Sequence, residues 1–246
     1  VIQKPHVDKI MVIDDLANRE HEADVLLDQN LYPNMSERYD HKVNKNCQKL
    51  LGLDYALLQP EYATFRDKLI IPKKKVRRIF MYFGNGNTNF LATRFVDSFI
   101  NISRSEINLD IVLAYQSTER DQIEKKSQQN QKIVVHEPRG SLASLMSRAD
   151  VAIGAGGATS WERICLGLPS IVVTVADNQY ECAQHTNKLG LINLIGDSAT
   201  ISDKKIKSEL IKLLDTPSLA AWSQKCFDRF EGLGATKVAK IMVESI

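Results

Sequence analysis

From residue 76 onward, short apolar runs alternate with helical runs, and this alternation constrains the fold more than any other feature. The strand-like runs are "VRRIFMYFG", "LDIVLAY", "KIVVH", "VAIG", "SIVVTV" and "LINLI". Between them lie a helix from about Thr88 to Ser103, a polar helix around Arg120 to Gln129, the segments "SLASLMSRA" and "TSWERICLG", and a helix from about Gln179 to Leu189. Strands separated by helices of this length form parallel βαβ units, which predicts a doubly wound sheet of the Rossmann type. Three further helical segments, 203–214, 217–231 and 235–245, close the chain.

The first 62 residues differ. They hold a buried strand, "KIMVID", a second short one, "DVLLD", and then the polar stretch "QNLYPNMSERYDHKVNKNCQK". Two strands and a loop do not close a core. Residues 1–62 are therefore expected to be the remainder of an N-terminal α/β domain with a linker. Residues 63–230 are expected to form the second domain, and residues 231–246 a helix packing back toward the first. The chain opens at Val1 with a strand close behind it, so further sequence is expected upstream.

Composition excludes several classes. Hydrophobic residues make up 43% and charged residues 25% of the 246 residues, with a formal net charge of +2, so no nucleic-acid partner is implied. Cys47, Cys165, Cys182 and Cys226 lack metal-ligand spacing, which suits small core thiols in a reducing compartment. No apolar run approaches the roughly 20 residues of a membrane span and no signal peptide opens the chain. A cytoplasmic protein without membrane contact is expected.

The most informative stretch is "ADVAIGAGGATSWERICLGLPSIVV", residues 149–173. It reads as a strand ending near Ile153, a loop over Gly154, Ala155, Gly156 and Gly157, a helix, and a second strand after Pro169. In open parallel sheets ligands sit beyond the carboxyl ends of the strands, and glycines there let a diphosphate approach the backbone. Thr159 and Ser160 add hydroxyl donors. The spacing matches neither the dinucleotide fingerprint nor the P-loop. Glu162 is placed to accept ribose hydroxyls or to complement the helix dipole, and spacing alone leaves both open.

That stretch, taken with "ADNQ" at 176–179, resembles the UDP-sugar hydrolase family of pseudaminic acid biosynthesis, which cleaves UDP-2,4-diacetamido-2,4,6-trideoxy-β-L-altropyranose. The resemblance extends to "IMVIDDLANREHEADVLLDQNLY" (10–32), "LLGLDYALLQPEY" (50–62), "LMSRAD" (145–150) and "FEGLGATKVA" (230–239), most of the chain. A more distant likeness links residues 149–179 to the GT-B glycosyltransferase that adds N-acetylglucosamine in peptidoglycan synthesis.

The resemblance implies an α/β, GT-B-like fold with a complete C-terminal Rossmann-type domain, a partial N-terminal one and the active site between them. It implies that Gly156, Gly157, Ala158, Thr159 and Ser160 face the diphosphate and that Glu162 binds the ribose. Pro138 and Leu142 would flank the uracil, while Asn178, Gln179 and Gly84 would face the sugar or β-phosphate. Water would displace UDP at the anomeric carbon and release 2,4-diacetamido-2,4,6-trideoxy-L-altrose. Neither a metal nor another cofactor is expected.

This sequence departs from the family pattern in three places. The family's catalytic histidine lies in a G-x-G-H loop, and none of His6, His21, His41, His136 and His185 stands in one, so the catalytic base is not identified. His21 and His41 are read as solvated, and His185 as a helix-face residue. "FGNGNTNF" at 83–90 places Asn85 and Asn87 where the family has glycine and aspartate, and Gln59 stands where arginine is common. Asp14 and Asp15 are adjacent on a strand and point to opposite faces, so turn or cap chemistry is expected there. The alternatives to a hydrolase are a GT-B glycosyltransferase using a UDP-sugar and a non-catalytic nucleotide-sugar-binding module. Either could be completed by an N-terminal domain or a complementing chain.

Overall fold

The computed structural model describes residues 7–84 and 88–244. They form two all-parallel sheets. The first contains β1 (Met11–Ile13), β2 (Val25–Asp28) and β3 (Gln48–Leu51) in the order β1-β2-β3. A single 3₁₀ turn (Leu53–Tyr55) and α1 (Pro60–Arg66) lead from it into the second sheet.

The second sheet has six strands: β4 (Arg78–Tyr82), β5 (Asn108–Val112), β6 (Ile133–His136), β7 (Val151–Ala155), β8 (Ser170–Thr174) and β9 (Asn193–Asp197). Connecting helices are α2 (Leu91–Ile102), α3 (Arg120–Gln129), α4 (Ala143–Arg148), α5 (Thr159–Cys165) and α6 (Tyr180–Lys188). Then follow α7 (Asp203–Leu214), α8 (Leu219–Phe227) and α9 (Gly234–Glu244). The strand order β6-β5-β4-β7-β8-β9 reverses direction between β4 and β7. A crevice beyond the carboxyl ends of those two strands is where such a sheet binds ligands.

Successive side chains on each strand feed opposite cores, as the two-residue strand period requires. Ile79, Met81, Val151, Ile153, Ile171 and Val173 enter one core; Phe80, Ala152 and Val172 enter the other. Both faces are covered by helices, so β7 and β8 are buried at every position. Residues of the connecting segment, Leu53, Ala56, Leu58 and Tyr62, belong to the second core together with Trp161 and Ile164 of α5.

Two expectations change here. The polar stretch 29–49 runs into a third strand, so the first segment is a small sheet with an apolar cluster on each face. Ala23, Leu26, Tyr39 and Cys47 gather on one side; Val25, Leu27 and Leu50 on the other are covered by Val238 of α9, with Ile241 and Met242 packed alongside. Secondly, a division after residue 62 falls inside α1, whose Tyr62 is buried in the core of the larger sheet. Among the described residues, no helix is long and apolar enough to cross a membrane.

Candidate functional site

The glycine turn after β7 lies across a cleft from the carboxyl ends of β1 and β2. A cavity of about 340 Å³ is lined by Gly156, Gly157, Ala158, Asn178 and Gln179 on one side and by Asp14, Asp15, Gln29 and Asn30 on the other. Gln179 anchors the wall: its Oε1 accepts from the Val175 amide at 3.0 Å, and its side chain packs against Gly156 and Gly157. Among the described residues, the amides of Gly156, Gly157 and Ala158 donate to no protein acceptor. Free backbone donors around a concave turn suit an anion.

Gly154 has a different task from the one its sequence position suggests. It belongs to β7 and is fully enclosed, not part of the loop. A Cβ added there would lie 2.5 Å from Arg163 Nη1 and 2.6 Å from the Tyr82 carbonyl oxygen. Gly154 thus makes room for a buried guanidinium, whereas Gly156 and Gly157 line the cavity. Ser160 also departs from expectation. It is 2% exposed, and its hydroxyl donates to the Ala155 carbonyl (3.4 Å) while accepting from Arg163 Nη2 (2.8 Å). Ser160 therefore braces the turn from inside. Thr159 Oγ1 accepts from Arg163 Nη1 at 3.2 Å, leaving its own proton free to donate.

A second pocket, about 220 Å³, adjoins the turn and brings together Glu162, Thr159, Pro138, Leu142, Tyr62 and Tyr82. These residues come from α5, the β6–α4 loop, α1 and β4. Tyr62 is almost completely buried, with its hydroxyl close enough to the Glu162 carboxylate for each group to shift the other's pKa. Burial, with the Glu162 charge nearby, raises the Tyr62 pKa, so the hydroxyl keeps its proton. The Glu162 carboxylate oxygen Oε2 is buried without a hydrogen-bond partner among the described residues. Burial raises the Glu162 pKa, and the Tyr62 hydroxyl and the Arg163 charge partly oppose that rise. Gln59, the residue where arginine was anticipated, donates from Nε2 to the Gly140 carbonyl at 2.8 Å. Helix α1 and the residue before it therefore hold both walls of this pocket, a role with no local sequence signal.

Gly84 lies outside these two pockets. It lies two residues beyond β4 with φ +86°, a conformation suited to glycine, and lines a cavity of about 680 Å³ with Thr88, Tyr115, Glu119 and Pro138. Asn85 and Asn87 lie outside the described residues, as does His6.

The remaining histidines lie apart from the turn. His21 is not solvated: its side chain is 7% exposed and its Nε2 sits 3.6 Å from Asp14 Oδ1, because a parallel bridge to Val43 carries it inward. His41 is exposed, His136 pairs with the buried Asp110 at 2.7 Å, and His185 is half-buried on α6. Asp14 caps a turn, accepting from the Ala17 amide at 2.8 Å, and also lies 3.0 Å from the Tyr39 hydroxyl. Asp15 faces the cleft cavity and is exposed.

A family model described as the glycosyltransferase family 28 C-terminal domain matches residues 87–236. The spore coat polysaccharide biosynthesis protein SpsG of Bacillus subtilis (strain 168) is 22% identical over 175 residues, covering 71% of this chain and 51% of SpsG. The chain thus spans about half the length of that relative. Among solved structures, MurG of Acinetobacter baumannii aligns with a TM-score of 0.61 at 14% identity, over 98% of this chain and 68% of that one. A putative UDP-N-acetylglucosamine 2-epimerase from Listeria monocytogenes aligns with a TM-score of 0.64 at 13% identity, over 91% and 61%. At such identities the likeness is one of fold, and the fold hosts more than one reaction.

Proposed function

The chain belongs to the family of the glycosyltransferase family 28 C-terminal domain and has a GT-B-like α/β fold; from that premise we propose that it binds the UDP of a UDP-sugar and cleaves the anomeric bond with water. The observation that carries this reading is the buried, unpartnered Glu162 Oε2 in a pocket that adjoins a turn of free amides. A buried carboxylate oxygen without a donor is unfavourable unless a ligand completes it. The two hydroxyls of a ribose are suitable donors. In this reading Pro138 and Leu142 flank the base, the Gly156–Gly157–Ala158 turn with Thr159 receives the diphosphate, and Asn178 and Gln179 border the sugar. The sugar would lie toward Asp15, Gln29 and Asn30 across the cleft.

In hydrolysis, water attacks the anomeric carbon and the carbon–oxygen bond to the β-phosphate breaks. UDP leaves with the electron pair, and one proton of the water is released. The protein's part is to hold the departing diphosphate with donors that are fixed before the reaction begins. The resemblance over residues 10–32, 50–62, 145–150 and 230–239 supports water as the acceptor and 2,4-diacetamido-2,4,6-trideoxy-L-altrose as the product. The family assignment favours a second reading, transfer of the sugar to another acceptor.

Calorimetric titration with UDP tests the common part. Glu162→Ala is expected to weaken binding about 10–100-fold, the loss of one charge-assisted hydrogen bond or two weaker ones. Absence of UDP binding by the parent chain would sink the reading. Incubation with the UDP-sugar then separates the reactions: free sugar and UDP indicate hydrolysis, while turnover only with an added acceptor indicates transfer.

A further inference from the structure

The interior behind the glycine turn holds a charge with no ion-pair partner among the described residues. Arg163 is 0% exposed, on a helix packed between the larger sheet and α8. Its Nη2 donates to the Ala155 carbonyl and to Ser160 Oγ, both at 2.8 Å, and Nη1 reaches Thr159 Oγ1 at 3.2 Å. Its Nε is buried without an acceptor among the described residues. All of its hydrogen-bond acceptors are neutral oxygens. Among the described residues no carboxylate comes within ion-pair distance; Glu162, next in sequence, acts on it only through space. Burial lowers the guanidinium pKa only to about 10, so the group stays charged at neutral pH.

A buried cation without an anion in contact with it destabilises a fold strongly. Yet the sequence accommodates this one at every neighbouring position. Residue 154 is a glycine, since any Cβ there would collide with Nη1. Residues 159 and 160 are hydroxyl residues that accept from the fork. The three oxygens it grips belong to residues that flank Gly156, Gly157 and Ala158 on both sides. The cation therefore sits directly behind a turn whose other surface lines the cleft with unpaired amides.

We propose that Arg163 is a positioning residue for a diphosphate: its buried charge fixes the glycine turn from behind and is completed electrostatically by the two phosphates on the cleft side. This inference rests on the nucleotide reading above and extends it, since Arg163 touches no ligand itself. Charge acting through a thin, dry layer of backbone remains strong because little water intervenes to screen it. The charge and the turn form one unit, with the guanidinium holding the shape and the anion neutralising the guanidinium.

The test compares affinities for uridine and UDP in the parent chain, Arg163→Gln and Arg163→Lys, using calorimetry for UDP and ligand-observed NMR for uridine. Arg163→Gln is expected to lower the ratio of UDP to uridine affinity at least about tenfold, because only UDP carries the phosphates. Arg163→Lys keeps the charge without the three-oxygen grip and is expected to lower the ratio by less. It also carries the test if the glutamine variant does not fold, an unchanged ratio then counting against the proposal. A merely structural brace would reduce both affinities together and leave the ratio unchanged, which would overturn the assignment. Failure of the parent chain to bind UDP would overturn the nucleotide reading, and this inference with it.

Discussion

The glycines at 154 and 156 separate two kinds of cost within one turn. Consider Gly154→Ala. The position does not require a positive φ, so alanine fits the backbone and, by restricting the unfolded chain, should favour folding by about 0.4–1 kcal/mol. Against this, the new Cβ would sit 2.6 Å from the carbonyl oxygen of Tyr82, the residue paired with Gly154 across β4 and β7. Two paired central strands do not part easily, and overpacking of this kind costs about 1–3 kcal/mol. The same Cβ would meet Arg163 Nη1 at 2.5 Å, displacing a guanidinium whose hydrogen bonds are worth about 1.5–3 kcal/mol each. The net expectation is a loss of about 3 kcal/mol. Gly156→Ala would place its Cβ 3.5 Å from Ala183 and Gln179, ordinary contact, so stability should change by less than about 1 kcal/mol. Urea denaturation reads the first effect. With an m-value of about 3 kcal/mol/M, the Gly154→Ala midpoint should fall by about 1 M and that of Gly156→Ala should hardly move. UDP titration reads the second effect, since the Gly156 methyl would enter the space assigned to the diphosphate and reduce affinity at least about tenfold. If Gly154→Ala proved as stable as the parent while losing UDP, Gly154 would be a ligand-facing residue and the packing argument would be wrong.

Two further outcomes follow from the ionisable groups. Tyr62→Phe removes the hydroxyl that favours the ionised Glu162, so the carboxyl pKa should rise further. Since the ionised form accepts the ribose hydroxyls, UDP affinity should fall on acidification at a higher pH than in the parent, while 2′,3′-dideoxy-UDP should show no such displacement. Glu209 is partly desolvated, but hydrogen bonds from Lys212, Lys205 and Asn193 outweigh that and hold its pKa at about 2. A carboxylate depressed in the folded state adds stability above its unfolded pKa, and that stability is lost as pH falls through the folded value. With solvent screening of the lysines, Glu209→Gln should cost about 1 kcal/mol at pH 7. Thermal melts should show the difference from the parent shrinking between about pH 4.5 and pH 2, and a gap that widened on acidification would refute the sign.

The larger sheet was legible because its strands are apolar along their whole length and helices separate them, a pattern with few alternative folds. β3 was not, because only Leu50 and Leu51 mark it; pairing with β2 makes Gln48 and Lys49 into strand. The glycine turn could be located, yet the division of labour among its glycines could not. That division depends on where Arg163 points, and a charged residue between Glu162 and Ile164 reads as solvent-facing until the helix is seen covered on both sides. Tyr62 was invisible for a similar reason. Its hydroxyl meets Glu162 from 100 residues away in the chain, and no local pattern encodes that meeting. His21 was misread because a neighbouring run of charges suggested water, whereas strand pairing carried it beside Asp14.

The seat of α9 on the first sheet has a consequence for how the chain is made. Val238, which covers Val25, Leu27 and Leu50, is made about 190 residues after Leu50. At about 5–20 residues per second, that face waits roughly 10–40 s for its cover. During that time the six-stranded sheet, whose strands all lie between residues 78 and 197, has already been produced. The smaller sheet therefore leaves the ribosome before the larger one and is finished after it.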